Sequence, residues 1–218
     1  MNIILFGPPG AGKGTQASNI VKTYKLSKVS TGDLLREEIR KKTTIGKKIK
    51  SVIDKGELVS DKIINNIISK ILLDKKYYDR IIFDGYPRNL EQAKKLDIML
   101  KQNNQKISCV LSLEVDINSI VKRVLGRQVC SNCGLTFNEY FNKATSKNHD
   151  CDSKFLVKRA DDTENTIKNR FDTYIEKTLP ILNFYKEQKL LYEINGKSKI
   201  EDIFEEIRNI IASLETWL

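Results

Sequence analysis

Apolar residues along this chain follow two rhythms. Short unbroken runs, Ile3-Ile4-Leu5-Phe6, Arg80-Ile81-Ile82-Phe83-Asp84 and Ile107–Val115, have the length and composition of strands buried on both faces. Leu26–Ser30 and Leu190–Ile194 read as two shorter strands. Elsewhere the apolar positions recur at helical spacing. Ile63, Ile64, Ile67, Ile68, Ile71 and Leu72 mark one wide face on a helix that starts near Ser60. Further helices are predicted over about Thr15–Tyr24, after Ser30-Thr31-Gly32-Asp33, over about Leu90–Gln102 and Ile117–Leu125, from around Asp161 with a bend near Pro180, and over about Ile200–Leu214. Strands alternating with helices predict an α/β fold, a five-stranded parallel sheet flanked by helices in three layers.

Two stretches break the rhythm. From Lys41-Lys42 to Gly56-Glu57-Leu58-Val59 the chain is strongly polar with sparse apolar positions, and it is expected to form a small helical insertion outside the core. Gln128–Lys158 is rich in Asn, Lys, Ser and Thr, lacks a helical period, and holds three of the four cysteines and the only histidine. It reads as a second insertion. At 218 residues, 40% hydrophobic and 30% charged, the chain can bury a sizeable core, which excludes a disordered protein. The net charge of +10 is spread along the sequence as solvated faces, and its positive field suits a polyanionic small ligand such as a nucleotide. A stripe of base-stacking aromatics or a recognition helix is missing, so no nucleic acid partner is expected. No segment approaches a membrane span, and Ile3–Phe6 is too short for a signal-peptide apolar region, so a cytoplasmic location is expected. Cys130, Cys133 and Cys151 cluster as a metal site would, whereas Cys109, flanked by apolar residues, is expected to be core packing.

The candidate chemistry begins at Gly7-Pro8-Pro9-Gly10-Ala11-Gly12-Lys13-Gly14-Thr15, between the first strand and the first helix. Glycines let successive backbone N–H groups turn toward a phosphate, the helix start adds its positive dipole end, and Lys13 reaches the outer phosphates. The strict P-loop pattern wants Ser or Thr directly after the lysine, and here Gly14 intervenes before Thr15. Asp84 closes a buried-type strand, where parallel sheets bind ligands and where a carboxylate that orders magnesium is needed. Arg36, Arg88, Arg123, Arg127, Arg159 and Arg170 each follow or flank a loop, and several converging guanidinium groups suit a site that holds two phosphate chains. Together these features point to phosphoryl transfer, in which positioning and charge neutralisation do most of the catalysis. His149 lies in the cysteine-bearing insertion, which argues against a Ser-His-Asp hydrolase.

The ordered set Gly7–Thr15, Ser30-Thr31-Gly32-Asp33-Leu34-Leu35-Arg36, Asp84-Gly85-Tyr86-Pro87-Arg88 with Gln92, Arg123 with Gly126-Arg127, and Arg159-Ala160-Asp161-Asp162 with Arg170 resembles the long, bacterial-type adenylate kinases over essentially the whole chain. The resemblance implies a P-loop fold and reversible transfer of the γ-phosphoryl group of Mg-ATP to AMP, giving two ADP. It implies that Gly10, Ala11, Gly12, Lys13, Gly14 and Thr15 hold the ATP phosphates, with Arg123, Arg127, Thr136, Phe137 and Ser198 completing the ATP site. Thr15 and Asp84, partly through water, would arrange Mg²⁺. Thr31, Arg36, the Glu57-Leu58-Val59 backbone, Gly85, Arg88 and Gln92 would hold AMP, with Gln92 reading the base. Arg88, Arg123, Arg127, Arg159 and Arg170 would surround the transferring group, steadied by Asp161 and Asp162. By the same likeness, residues 1–29, 60–127 and 161–218 form the core, 30–59 the AMP-binding insertion and 128–160 a lid. A monomer is expected. The rival readings are a nucleoside monophosphate kinase with another acceptor or with GTP as donor, and a nucleic-acid-dependent ATPase.

Within the lid, Cys130-Ser131-Asn132-Cys133 is a C-x2-C knuckle able to offer two thiolates to a tetrahedral zinc. Zinc-bearing members of the family usually repeat that knuckle. Here the second half is Asn148-His149-Asp150-Cys151-Asp152, with Asn148 in place of the third ligand. His149 and Asp152 are the available replacements, and Cys130, Cys133, His149 and Cys151 are the preferred set for a structural Zn²⁺. The other reading is a lid held by hydrogen bonds and packing alone.

Overall fold

The computed structural model describes residues 1–215. β1 (Ile3–Phe6) and α1 (Lys13–Tyr24) lead to β2 (Ser27–Ser30), followed by the helices α2 (Thr31–Arg40), α3 (Thr44–Asp54) and α4 (Asp61–Leu73), then β3 (Ile81–Asp84). After α5 (Leu90–Gln102), β4 (Cys109–Glu114) and α6 (Ile117–Leu125) come three short strands, β5 (Arg127–Cys130), β6 (Thr136–Asn138) and β7 (Leu156–Val157). The remaining elements are α7 (Glu164–Thr173), α8 (Ile181–Glu187), β8 (Leu191–Asn195) and α9 (Ile200–Glu215). The main sheet has five parallel strands in the order β2-β3-β1-β4-β8, as the alternation of strands and helices predicts.

Alternate residues of each strand meet different layers. Ile4 and Phe6 join Phe83, Val110, Ile68, Leu96 and Tyr185 on the face covered by α4, α5 and α8. Ile3 and Leu5 join Ile82, Leu111, Ala17, Ile20, Ile207 and Ile211 on the face covered by α1 and α9. Each fully buried aliphatic side chain contributes about 1.5–3 kcal/mol, so these two layers hold the strand ends, and the loops that leave them, in place. Side-chain caps set several helix starts. Asn89 accepts from the Gln92 N–H at 2.8 Å, Asp116 from Ser119 at 3.0 Å and Thr163 from Thr166 at 3.3 Å, each worth about 1 kcal/mol.

The structure differs from the sequence reading in three places beyond one or two residues at element ends. First, the polar stretch before Val59 is not outside the core. Ile49 and Val59 are buried and join the apolar layer of Leu35, Ile64 and Ile68. Gly46 makes this possible, because a Cβ there would lie 2.1 Å from the Glu38 carbonyl oxygen; α2 and α3 approach too closely for any side chain. Their few apolar residues therefore suffice to seal one edge of the core. Second, the Cys-bearing insertion is a three-stranded antiparallel sheet, order β6-β5-β7. Its strands of two to four residues are too short to show a period. Third, the helix expected from Asp161 starts at Glu164 behind its Thr163 cap, and widens into a π turn at Tyr174–Thr178 before Pro180.

Candidate active site

The loop after β1 folds as its glycines require. Gly10 has φ +81°, and a Cβ there would stand 2.6 Å from Val124 Cγ2, so both backbone angle and space demand glycine. α1 starts at Lys13 behind Gly12, with no side chain capping its first turn. Its free N–H groups are left for an anion. Lys13 curls back over the loop, its Nζ donating to the Gly7 carbonyl at 2.7 Å and the Pro8 carbonyl at 2.9 Å. Desolvation pushes its pKa down to about 8; Asp84 opposes the shift, while Arg88 and Arg127 add to it.

The arginines converge on the same cleft from distant parts of the chain. Arg88 donates from Nε to the Gly85 carbonyl at 2.8 Å, and burial, reinforced by Arg170, lowers its pKa to about 10. Arg123, at the end of α6, donates to the Gly196 carbonyl at 2.9 Å. Arg127 is gripped by Asp162, with Nε 2.8 Å from Oδ2 and a second bond alongside. Asp161 holds Arg170 in a hydrogen-bonded ion pair and lies 3.9 Å from Arg36. Arg159 has only a loose contact, 3.7 Å to Asp33, and its pKa falls to about 10 through burial and the neighbouring Arg127 and Arg36. Burial alone would raise Asp33, but Arg36, Lys28 and Arg159 hold its carboxyl at about 2. Carboxylates thus orient Arg127 and Arg170, while Arg88 and Arg123 are oriented by neutral carbonyls that leave their charge uncompensated.

At the other end of the cleft, Thr31 Oγ1 donates to the Gly85 carbonyl at 2.7 Å. Gln92 is buried, and both ends of its amide are engaged. Oε1 accepts from the Arg88 N–H at 2.7 Å, and Nε2 donates to Asp61 at 2.6 Å. Asp61 also accepts from Asn89 at 3.0 Å and so fixes the direction of the Gln92 amide. The continuous cleft measures about 1030 Å³ and is lined by Gly10–Thr15, Thr31, Arg36, Glu57–Val59, Asp84, Gly85, Gln92, Thr136, Phe137 and Ser198 as well as the arginines. Asp161, which steadies Arg170, stands behind that lining.

The three-stranded insertion presents a second cluster. The ligand atoms of Cys130, Cys133, His149 and Cys151 all lie within 4.8 Å of one another. Asn148 does not join them. Its Oδ1 accepts from the Thr145 N–H at 2.7 Å and its Nδ2 donates to the Lys143 carbonyl, which closes the turn that presents His149. Asp152, the other candidate, caps the Lys154 N–H at 2.8 Å and is likewise outside the cluster. His149 stacks edge-on against Phe137 at 4.8 Å, and its Nε2 is buried with no hydrogen-bond partner. Burial works to raise the Cys130 thiol, but the Cys133 N–H and His149 bring it down to about 6. Cys109 is fully buried in the sheet, and burial pushes its pKa up to about 12.

Sequence reasoning passed over three residues that the fold brings to the site. Asp61 orients Gln92, and Phe141, 54% exposed, lies at the cleft beside Arg123 and Lys122, whereas Phe137 is buried. Lys28 contacts both Asp84 and Asp33. Only Phe141, an aromatic in a polar insertion, left a signal in the sequence.

A parallel sheet with a glycine loop behind its central strand and an arginine-lined cleft at the strand ends defines a P-loop phosphotransferase. The family model for adenylate kinase matches residues 5–190. The chain is 47% identical to the adenylate kinase of Pelagibacter ubique over 97% of this chain and 99% of that protein. It is 42% identical to the one from Enterococcus faecalis, over 97% and 99%, and 39% identical to the one from Archaeoglobus fulgidus, over 99% and 100%. The chain belongs to the adenylate kinase family.

Proposed function

We propose that this chain transfers the γ-phosphoryl group of Mg-ATP to AMP, reversibly, giving two ADP. The observation that carries this reading is one continuous cleft with the glycine loop and Lys13 at one end, Thr31, Arg36 and Gln92 at the other, and arginines between. Lys13 and the N–H groups of Gly10 and Gly12–Thr15 would bind the donor phosphates, the Ala11 N–H being held by the Pro8 carbonyl at 3.1 Å, with Arg123, Thr136, Phe137 and Ser198 around the donor nucleoside. Thr31, Arg36, Arg88, the Glu57–Val59 backbone and Gln92 would hold AMP, and the fixed Gln92 amide would favour one base edge. Arg88, Arg127, Arg159 and Arg170 would take up negative charge spread over the transferring group, which in related reactions is worth about 10³–10⁵ in rate.

Residues 30–59 would serve as the AMP-binding insertion and 128–160 as a lid whose closure excludes water as an acceptor. Asp84 and Thr15 offer the hard oxygen donors that magnesium and its water shell take, and the ion would neutralise charge on the donor phosphates. The lid cluster suits Zn²⁺, since three sulfurs and one imidazole within reach of one point are soft tetrahedral donors and the orphaned His149 Nε2 lacks a partner. Zinc there would hold the lid together and take no part in the reaction. The enzyme would act as a cytoplasmic monomer on ATP, AMP and ADP, without nucleic acid; among the described residues, no helix is long and apolar enough to cross a membrane.

ADP formation from Mg-ATP is measured with AMP, GMP, UMP or CMP, beside a control without acceptor. Rapid turnover with AMP alone is expected. Turnover mainly with another acceptor overturns the roles given to Thr31 and Gln92, and hydrolysis without any acceptor overturns the kinase reading.

A further inference from the structure

The position after the P-loop lysine, where a hydroxyl residue ordinarily faces the metal, is Gly14. The space it leaves open is bordered by charge: a Cβ on Gly14 would lie 3.8 Å from Lys28 Nζ and 3.9 Å from Asp84 Oδ2. Lys28 arrives there from β2, which pairs with β3 in a register that sets Ser30 beside Asp84. Its Nζ is 3.4 Å from Asp84 Oδ2 and 3.6 Å from Asp33 Oδ2. The lysine side chain is 28% exposed and the Asp84 side chain 13%, so this ammonium shares the cleft with whatever binds there.

We propose that Lys28 is a resident cation at the magnesium position and sets how strongly nucleotide binding depends on the metal. Hydrated Mg²⁺ is held through one or two carboxylates together with substrate phosphates. Asp84 paired with an ammonium attracts that ion less than a free carboxylate does. When no metal is present, the same ammonium supplies a positive charge near the phosphates. Lys28 thus favours metal-free nucleotide and disfavours the magnesium complex, narrowing the difference between them. One unit charge a few ångströms away in a partly hydrated cleft changes such a ratio by about tenfold.

The inference rests on the reading that the loop binds a nucleoside triphosphate. Isothermal titration calorimetry of the full chain with the non-hydrolysable analogue AMP-PNP, once in Mg²⁺ and once in EDTA, tests both. For Lys28→Met, Kd in EDTA is expected to rise and Kd in Mg²⁺ to hold or fall, so that their ratio grows about tenfold relative to wild type. Lys28→Arg, which keeps the charge, should stay within about twofold. If Lys28→Met unfolds, Lys28→Gln carries the same expectation in a polar side chain of similar reach. An unchanged ratio, or equal weakening in both buffers, overturns the role of Lys28. If wild-type protein fails to bind AMP-PNP, or if Lys13→Met leaves its affinity unchanged, the nucleotide reading itself falls.

Discussion

The arginine-lined cleft and the three-stranded insertion are held together by opposite means. The cleft rests on two apolar layers that bury nearly every residue of β1, β3 and β4, and this rigid base can carry cations that lack full compensation. Lys13, Arg88 and Arg159 are all driven toward their neutral forms by desolvation. The insertion has almost no such base. Between residues 128 and 160 the buried apolar side chains are Cys130 and Phe137, while Leu135, Tyr140, Phe141 and Val157 are exposed. Units with so little core are commonly stapled by metal or disulfide, and the insertion gathers three sulfurs and an imidazole within 4.8 Å of one another. The difference teaches that a well-packed base tolerates desolvated cations, whereas a region with little apolar core has its Cys3His cluster as the available cross-link.

The sharpest way to break this comparison is to remove a charge from one region and a ligand from the other. Lys13→Met should lower the rate of ADP formation about 10³-fold. Its melting temperature should hold within about 2 °C or rise, since folding no longer desolvates an ammonium. A marked fall in melting temperature would show that Lys13 supports the fold. Cys151→Ser should do the reverse, losing metal by elemental analysis and lowering the melting temperature by about 5–10 °C. A chelator should reproduce that shift in the wild type and add nothing in the variant. Full stability with no metal in the purified wild type would leave the lid to packing alone.

A smaller effect follows from the cleft's electrostatics. Lys13 has a folded pKa of about 8, below its ordinary 10.5, so between these values the unfolded chain binds more protons and this group makes stability increase with pH. Binding runs the other way, because phosphates want the ammonium. AMP-PNP affinity should fall above pH 8, approaching about tenfold per pH unit. A flat profile between pH 7 and 9.5 would mean that Lys13 is not titrating in the free protein. Asp33 acts at the acid end. Held at about 2, its stabilisation is present above its unfolded value and is lost as pH falls toward 2.

Much of the molecule was legible from local pattern. Strand cores such as Ile81-Ile82-Phe83, the helical period of Ile64, Ile68 and Leu72, and the glycine loop ahead of Lys13 each carry their structure within a few residues, because burial on a regular element imposes a period. The ordered motifs from Gly7 to Arg170 were enough to name the family that the comparisons then matched. Tertiary structure decided what local pattern cannot encode: which distant side chains meet. It chose His149 over Asp152 for the cysteine cluster by using Asn148 to close a turn. It brought Ile49 and Val59 into the core through the close approach at Gly46. It set Lys28 against Asp84 through the register of two parallel strands whose sequence connection runs through three helices. Charge pairs leave no periodic trace in the sequence, since an ammonium on a short strand is equally compatible with water or with a carboxylate until the sheet order places one beside it.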